Sequence, residues 1–193
     1  MKLAIFASGS GTNFQAIVDA VKRGELAAEV ALLVCDRPEA KVVERAKKEG
    51  IPTFVFRPKE YATKADFEQD ILAQLTKHGI AFIALAGYMR LIGPTLLSAY
   101  EGRIVNIHPS LLPAFPGKDA IGQAYRYGVK ITGVTVHYVD EGMDTGPIIA
   151  QRAVSIEEGE SLEQVERKIH AIEHELYPSV LKTLLERVET YER

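Results

Sequence analysis

The chain has 193 residues, 47% hydrophobic and 25% charged, which is ordinary globular composition, and at about 150 residues per domain we expect one domain over residues 1–193. Its 23 Lys and Arg against 26 Asp and Glu leave a net charge of −3, which argues against a dedicated nucleic-acid binder. The single cysteine, Cys35, excludes an intramolecular disulfide framework and suits the cytoplasm, and no charge-free apolar stretch reaches the roughly 18 residues of a membrane-spanning helix.

Short apolar runs alternate with amphipathic stretches along the first two thirds of the chain. The runs have strand length and are apolar throughout, which is typical of strands buried on both faces: Lys2–Ala7, Val30–Cys35, Ala81–Leu85 and Ile104–Ile107. The stretches between them have helical spacing: Phe14–Lys22, Ala40–Lys48 and Lys64–Lys77. Alternating strands and helices predict right-handed crossovers and a doubly wound, mostly parallel sheet of the Rossmann-like α/β class.

The last third of the chain has a different pattern. Ile131–Val139 and Pro147–Val154 are predicted antiparallel strands joined by a turn-rich loop. A helix follows from Ser161, whose pairing with Gln164 is typical of a capping box, and we expect Pro178 to kink or restart it. The predicted architecture is therefore one doubly wound domain with an antiparallel strand near its C-terminal end and a C-terminal helix.

In open α/β sheets, ligands bind beyond the carboxyl ends of the strands. The segments that follow predicted strands are therefore the places to search for chemistry: Ser8–Asn13, Asp36–Pro38, Ala86–Ile92, His108–Pro116 and Asp140–Gly146.

The glycine loop, Ser8–Asn13, follows the first strand and opens the first helix, where backbone amides and the helix dipole favour a phosphate. The alternative is a tight turn in which Thr12 or Asn13 caps the helix. A dinucleotide site stays open, with Asp36 as its acid, but Phe14 occupies the third glycine position of that fingerprint. A phosphate monoester fits this pattern better than a pyrophosphate.

Asn106 and His108 lie at the end of a predicted buried strand, two residues apart and thus on one side of it. An amide and a protonated imidazole form a suitable pair of donors for a developing oxyanion. Asp144, in the loop between the last two predicted strands, would stabilise the protonated imidazole. The alternatives are structural: His108 caps the turn before Pro109, and Asp144 forms an Asx turn.

A zinc hydrolase is a further alternative, because His170, Glu173 and His174 match the H-x-x-E-H pattern. The two histidines share one helical face, but a catalytic zinc ordinarily takes a third protein ligand. A solvated polar face explains the same residues, and we expect no metal.

Taken together, these segments resemble the folate-dependent formyltransferases, and among them the phosphoribosylglycinamide formyltransferases of purine synthesis. The resemblance spans nearly the whole chain and is carried by Gly9–Asn13, Leu85–Ile92, Asn106–Pro113, Val136–Val139, Asp144–Pro147 and Glu173–Pro178. The Asn-x-His-Pro-Ser-Leu-Leu-Pro block is specific to the superfamily, and Gly-x-Gly-Thr-Asn narrows it to the ribonucleotide-using members. Related methionyl-tRNA formyltransferases and formyltetrahydrofolate hydrolases carry an additional domain that we do not expect here.

The resemblance implies transfer of the formyl group of 10-formyltetrahydrofolate to the amine of glycinamide ribonucleotide, by a monomer or homodimer that acts on small molecules. The implied catalytic residues are Asn106, His108 and Asp144, with the oxyanion held by Asn106 and protonated His108. The implied ribonucleotide-binding residues are Gly11, Thr12, Asn13 and Glu173. The implied folate-binding residues are Lys64, Met89, Arg90, Leu91, Ile92 and Asn106.

Overall fold

A computed structural model describes residues 1–191, so the last two residues of the domain predicted over 1–193 lie outside the described part. The strands are β1 (Lys2–Ala7), β2 (Glu29–Cys35), β3 (Thr53–Val55), β4 (Phe82–Leu85), β5 (Ile104–His108), β6 (Ile131–Tyr138) and β7 (Ile148–Ser155). The helices are α1 (Thr12–Lys22), α2 (Lys41–Lys48), α3 (Lys64–Lys77), α4 (Pro94–Ala99), α5 (Ala120–Tyr127) and α6 (Leu162–Tyr191), with a short 3₁₀ helix at Pro58–Glu60.

The strands form one seven-stranded sheet in the order β3-β2-β1-β4-β5-β6-β7. The pairs from β3 to β5 are parallel, whereas β6 runs antiparallel to β5 and β7 antiparallel to β6. The chain winds outward from β1 to β3 and then returns to β4 on the other side of β1. This confirms the predicted doubly wound, mostly parallel sheet with an antiparallel end.

Burial on both faces explains why the sequence of β1 is apolar from Leu3 to Ala7 rather than alternating. Leu3, Ile5 and Ala7 belong to the core layer that α1, α2 and α6 cover. Ala4 and Phe6 point to the opposite layer, which α3 and α4 cover. Because both faces of the strand are buried from Leu3 to Ala7, the period-2 alternation of side chains leaves no polar position there, and Lys2 lies exposed at its start.

Helix α6 begins with the expected capping box, in which Ser161 N donates to Gln164 Oε1 over 2.8 Å and Gln164 N donates to Ser161 Oγ over 3.2 Å. Of the two expectations for Pro178, a restart of the helix is wrong, because α6 is continuous through it, and a kink stays a prediction. The fully buried Tyr177 anchors this part of the helix, its hydroxyl donating to Leu85 O over 2.7 Å. Packing on the sheet thus offsets the hydrogen bond that proline removes. No helix in residues 1–191 is long and apolar enough to span a membrane.

Three elements of the fold, β3, α4 and α5, were not predicted from the sequence. Strand β3 has three half-buried residues at the sheet edge, too few for a period to be visible. Helix α4 has only six residues, and α5 contains Gly122, which weakens its helical pattern. Helix α1 begins at Thr12, two residues before its predicted start, because the left-handed Gly11 ends the loop there.

Candidate active site

A cleft of about 610 Å³ lies at the carboxyl ends of β1, β4 and β5. Its lining brings together nearly all of the predicted site residues: Gly11, Thr12, Asn13, Met89, Arg90, Leu91, Ile92, Asn106, His108, Asp144 and Glu173. Lys64 is the exception, since it is the exposed first residue of α3 and does not belong to the lining.

The glycine loop meets α1 through backbone geometry rather than a side-chain cap. Gly11 is the N-cap, with φ 76° and ψ 24°, and no side chain accepts a hydrogen bond from the first turn. The alternative in which Thr12 or Asn13 caps the helix is therefore wrong. Arg45 Nε donates to Ser10 O over 2.8 Å and so fixes the outer side of the loop. The amides of the first helical turn remain free of intrahelical partners, as an anion site requires.

Glu173 of α6 reaches the start of α1 and joins the two helices. Its Oε2 accepts from Asn13 Nδ2 over 3.1 Å and its Oε1 from His170 Nδ1 over 2.7 Å. The hydrogen bond to Glu173 raises the pKa of His170 above its ordinary value. Asn13 Oδ1 is buried and has no partner within the described residues. This corner therefore offers free acceptor capacity beside the helix terminus.

Asn106 is oriented by His137, which lies directly opposite it on β6. His137 is 3% exposed, and its Nδ1 donates to Tyr138 O over 2.8 Å. The other ring nitrogen, Nε2, is then an acceptor in the neutral ring, and Asn106 Nδ2 donates to it over 3.2 Å. This bond fixes the amide orientation and leaves the second N–H of Asn106 available in the cleft.

Asp144 lies between the two histidines. Its Oδ2 is 3.5 Å from His108 Nδ1, and its Oδ1 is 3.7 Å from His137 Nε2. Gly117 N donates to Asp144 Oδ2 over 2.8 Å, which holds the carboxylate in place. The Asx-turn alternative for Asp144 is wrong, because the turn role belongs to Asp140, whose Oδ1 accepts from Gly142 N and Thr145 Oγ1.

His108 also has a structural bond, to a residue seven positions later rather than within the turn before Pro109 that the alternative expects. Its Nε2 donates to Phe115 O over 2.9 Å, across the turn that contains Pro109. The opposite nitrogen, Nδ1, faces Asp144 and stays free of a closer partner. The ring is therefore held from one side by Phe115 O, while Nδ1 faces the Asp144 carboxylate.

The loop after β4, Ala86–Ile92, provides an apolar wall at the other side of the cleft. We call it the donor loop, because it is the segment where the formyl donor is expected to bind. Met89 and Leu91 are 50% and 43% exposed, whereas Ile92 is buried. Exposed apolar side chains at the rim of a cleft are typical of a ligand site. Asp36, the acid of the dinucleotide alternative, does not line the cleft. Both of its carboxylate oxygens accept hydrogen bonds from the protein, one from Ser8 and one from Arg90. That alternative loses the residue that favoured it.

Comparison with known proteins identifies the family. A family model described as "Formyl transferase" matches residues 1–181. The chain belongs to the formyl transferase family. It is 64% identical over 184 residues to the phosphoribosylglycinamide formyltransferase of Bacillus subtilis strain 168, covering 95% of this chain and 94% of that protein. The resemblance inferred from the motifs is thus confirmed.

Solved structures of this formyl transferase family have the same fold. Glycinamide ribonucleotide transformylase 1 from Geobacillus kaustophilus is 74% identical, with a TM-score of 0.93 over 95% of this chain and 98% of that one. The corresponding protein from Symbiobacterium toebii is 42% identical, with a TM-score of 0.93 over 96% and 88%. The predicted fold class is confirmed by these neighbours as well as by the sheet itself.

The zinc alternative finds no support in the geometry of this formyl transferase. Within residues 1–191, no group of three or more His, Cys, Asp or Glu side chains is placed to hold a metal ion. Glu173 and His170 are hydrogen-bonded to each other, and burial lowers the pKa of His174. The H-x-x-E-H pattern is explained by the Glu173 contacts.

Sequence reasoning gave no role to His137, although its motif carried part of the formyl transferase resemblance. The signal was present: alternation placed it, together with Thr135, on one face of the predicted strand Ile131–Val139. The contacts from Phe115 O and Gly117 N were beyond reach, since backbone groups carry no sequence signature.

Proposed function

We propose that this formyl transferase moves the formyl group of 10-formyltetrahydrofolate to the amine of glycinamide ribonucleotide, giving formylglycinamide ribonucleotide and tetrahydrofolate. The observation that carries the proposal is one cleft that contains a phosphate-type helix terminus, an apolar wall, and the Asn106, His108 and Asp144 side chains. The Bacillus subtilis relative with 64% identity is named for this reaction. We infer a cytoplasmic monomer or homodimer without nucleic-acid partners.

The ribonucleotide phosphate binds at the glycine loop in this proposal, to the amides of Gly11, Thr12 and Asn13. Glu173 accepts hydrogen bonds from the ribose hydroxyls. Its two oxygens each accept one bond from the protein, at 3.1 and 2.7 Å, and each keeps a further lone pair. The unpartnered Asn13 Oδ1 is a second acceptor for the same ligand.

The folate binds along the donor loop, with Met89 and Leu91 contacting apolar parts of the ring and the backbone of Arg90 and Ile92 meeting its polar edge. Exposed apolar surface of this kind gains free energy when a flat ring covers it. Lys64 contacts the carboxylates of the folate tail. Its exposed position at the start of α3 makes this a solvent-screened contact.

The reaction proceeds by direct attack of the neutral substrate amine on the formyl carbon. The carbonyl oxygen becomes negative and accepts hydrogen bonds from Asn106 Nδ2 and from the Nε2–H of protonated His108, which leaves Phe115 O to make this bond. Asp144, 3.5 Å from His108 Nδ1, stabilises the imidazolium. One proton of the attacking nitrogen passes to N10 of the folate, directly or through water, as the carbon–N10 bond breaks. No covalent enzyme intermediate forms.

The test is a steady-state assay of tetrahydrofolate release from the two substrates. An oxyanion donor is worth about 3 to 4 kcal/mol of barrier, so Asn106→Ala and His108→Ala each lower kcat by about a hundredfold or more. His78→Ala is the matched control. His78 is the C-cap of α3 and does not line the cleft, so we expect its replacement to leave kcat unchanged. Near-normal turnover in either cleft variant removes that residue from the mechanism. Absence of transfer by the parent enzyme refutes the proposal.

A further inference from the structure

Two buried polar side chains at the ends of β1 and β2 have no part in the proposed reaction. Ser8 is 1% exposed, and the Asp36 side chain is also 1% exposed. They are neighbours because β1 and β2 pair in parallel with Ala7 opposite Cys35. Ser8 Oγ donates to Asp36 Oδ1 over 2.5 Å. Neither residue lines the cleft, so neither is placed to touch a ligand there.

Both side chains form hydrogen bonds with residues of the donor loop. Met89 N donates to Ser8 Oγ over 2.9 Å, and Arg90 Nε donates to Asp36 Oδ2 over 2.8 Å. The backbone of the same loop is tied to β1 by the Ser8 N to Gly87 O bond of 3.0 Å. The hydroxyl of Ser8 is thus donor to one partner and acceptor from the other, which fixes both at once.

The Asp36 contact also fixes the guanidinium of Arg90. With Nε bound, the guanidinium carbon lies 5.9 Å from the centroid of the Phe67 ring, and the side chain stays 40% exposed at the cleft. Its two Nη atoms have no hydrogen bond to residues 1–191. One edge of the group is therefore held by the protein while the other remains available to a ligand.

We propose that Ser8 and Asp36 are positioning residues for the formyl donor: they hold Met89 and Arg90 in the arrangement that binds it, without touching it. This inference rests on the proposed function. A carboxylate this deeply buried is costly unless it is paired, and its two oxygens are used on Ser8 and Arg90. Ser8 begins the glycine loop, but its hydroxyl contacts Asp36 and Met89 rather than Gly11, Thr12 or Asn13, so the side-chain pair acts on the formyl-donor side of the cleft.

The principal variant is Asp36→Asn, which keeps the side-chain volume and removes the charge. If the amide oxygen faces Arg90, the amide nitrogen faces Ser8 Oγ and leaves the hydroxyl proton without its acceptor. We expect the KM for 10-formyltetrahydrofolate to rise about fivefold or more, with kcat and the KM for the ribonucleotide within about twofold of the parent. Ser8→Ala, the second variant, gives the same pattern through Met89.

Asp70→Asn is the matched control. Asp70 accepts from the Tyr61 hydroxyl on the exposed face of α3, so the same chemical change there leaves both KM values unchanged. Equal rises in both KM values, or a lower kcat and lower unfolding midpoint with neither KM changed, would indicate a merely structural pair and overturn the inference.

Calorimetric titration with tetrahydrofolate, in the absence of ribonucleotide, separates this inference from the proposed function. We expect weaker binding to Asp36→Asn and Ser8→Ala and parent-like binding to Asp70→Asn. Unchanged binding of tetrahydrofolate to both Asp36→Asn and Ser8→Ala overturns the inference. A parent protein that binds tetrahydrofolate but transfers no formyl group refutes the proposed function and leaves the titration to decide on the pair. A parent that does neither overturns both.

Discussion

Replacing Gly11 by alanine is a direct test of the glycine loop as a phosphate site. At φ +76° the new Cβ would lie 2.5 Å from Val42 Cγ2 and 2.9 Å from Val42 Cα. Carbon atoms pack at about 3.5 Å or more, so the loop must move away from α2 by roughly 1 Å. The left-handed backbone costs an L-residue a further 1–2 kcal/mol or so. Val42 is fully buried and cannot yield, so the displacement falls on the loop.

We expect this displacement to lower kcat/KM for the ribonucleotide by about a hundredfold, because errors of about 1 Å in substrate placement have that effect. The assay is steady-state turnover with each substrate varied in turn, together with direct binding of the ribonucleotide. Gly24→Ala is the matched control, since Gly24 has φ +74° and no atom within 4 Å of an added Cβ. It bears the same backbone cost without the collision. Parent-like binding of the ribonucleotide by Gly11→Ala would refute the assignment of this loop.

Three further predictions concern other contacts. The bond to Glu173 raises the pKa of His170, so its stabilisation is present at low pH and is lost as pH rises through the folded-state pKa. Urea unfolding should therefore separate the parent from His170→Gln more at about pH 5.5 than at about pH 9, and an equal separation at both would contradict it. Tyr177→Phe removes the hydroxyl that donates to the buried Leu85 carbonyl, so we expect a loss of about 0.5–1.5 kcal/mol in unfolding free energy, measured by urea titration; no loss would contradict this account. Lys64→Ala is expected to raise the KM for the folate by no more than about fivefold, an effect that high salt abolishes, because an exposed ion pair is worth about 1 kcal/mol at most. A salt-independent rise would mean that the contact is buried.

The position of Asp144 shows where a sequence rule placed a carboxylate beside His108 for an incomplete reason. Loops at the carboxyl ends of parallel strands share one edge of the sheet. Strand β6, however, is antiparallel: Thr135 lies opposite His108 and Tyr138 opposite Val105, so β6 ends at the other edge. The loop Asp140–Gly146 must turn back to bring its carboxylate within 3.5 Å of His108. The turn-rich loop between the predicted strands identified Asp144, but only the register of β5 and β6 shows that this loop turns back toward His108.

Elements with a long or fully apolar pattern were predictable from the sequence. Strands β1 and β2 and helix α3 follow from continuous burial or helical spacing, and α3 has its predicted bounds, Lys64–Lys77. Features that depend on tertiary contacts were not. Pro178 lies inside a continuous helix because Tyr177 is anchored on the sheet, and Asp36 is buried because Arg90 returns to it from the donor loop. Local sequence contains neither partner.

The hydroxyl of Tyr177 also has a consequence for the two halves of the cleft. Tyr177 follows Glu173 by four residues, one turn of α6, and it is bonded to the carbonyl that precedes the donor loop, at the end of β4. The spacing between Glu173 and the donor loop is therefore set by a helix and a strand that are joined by this hydrogen bond. Warming that agitates the connecting loops leaves this spacing unaltered, so we expect the two substrates to keep their separation until the sheet itself melts.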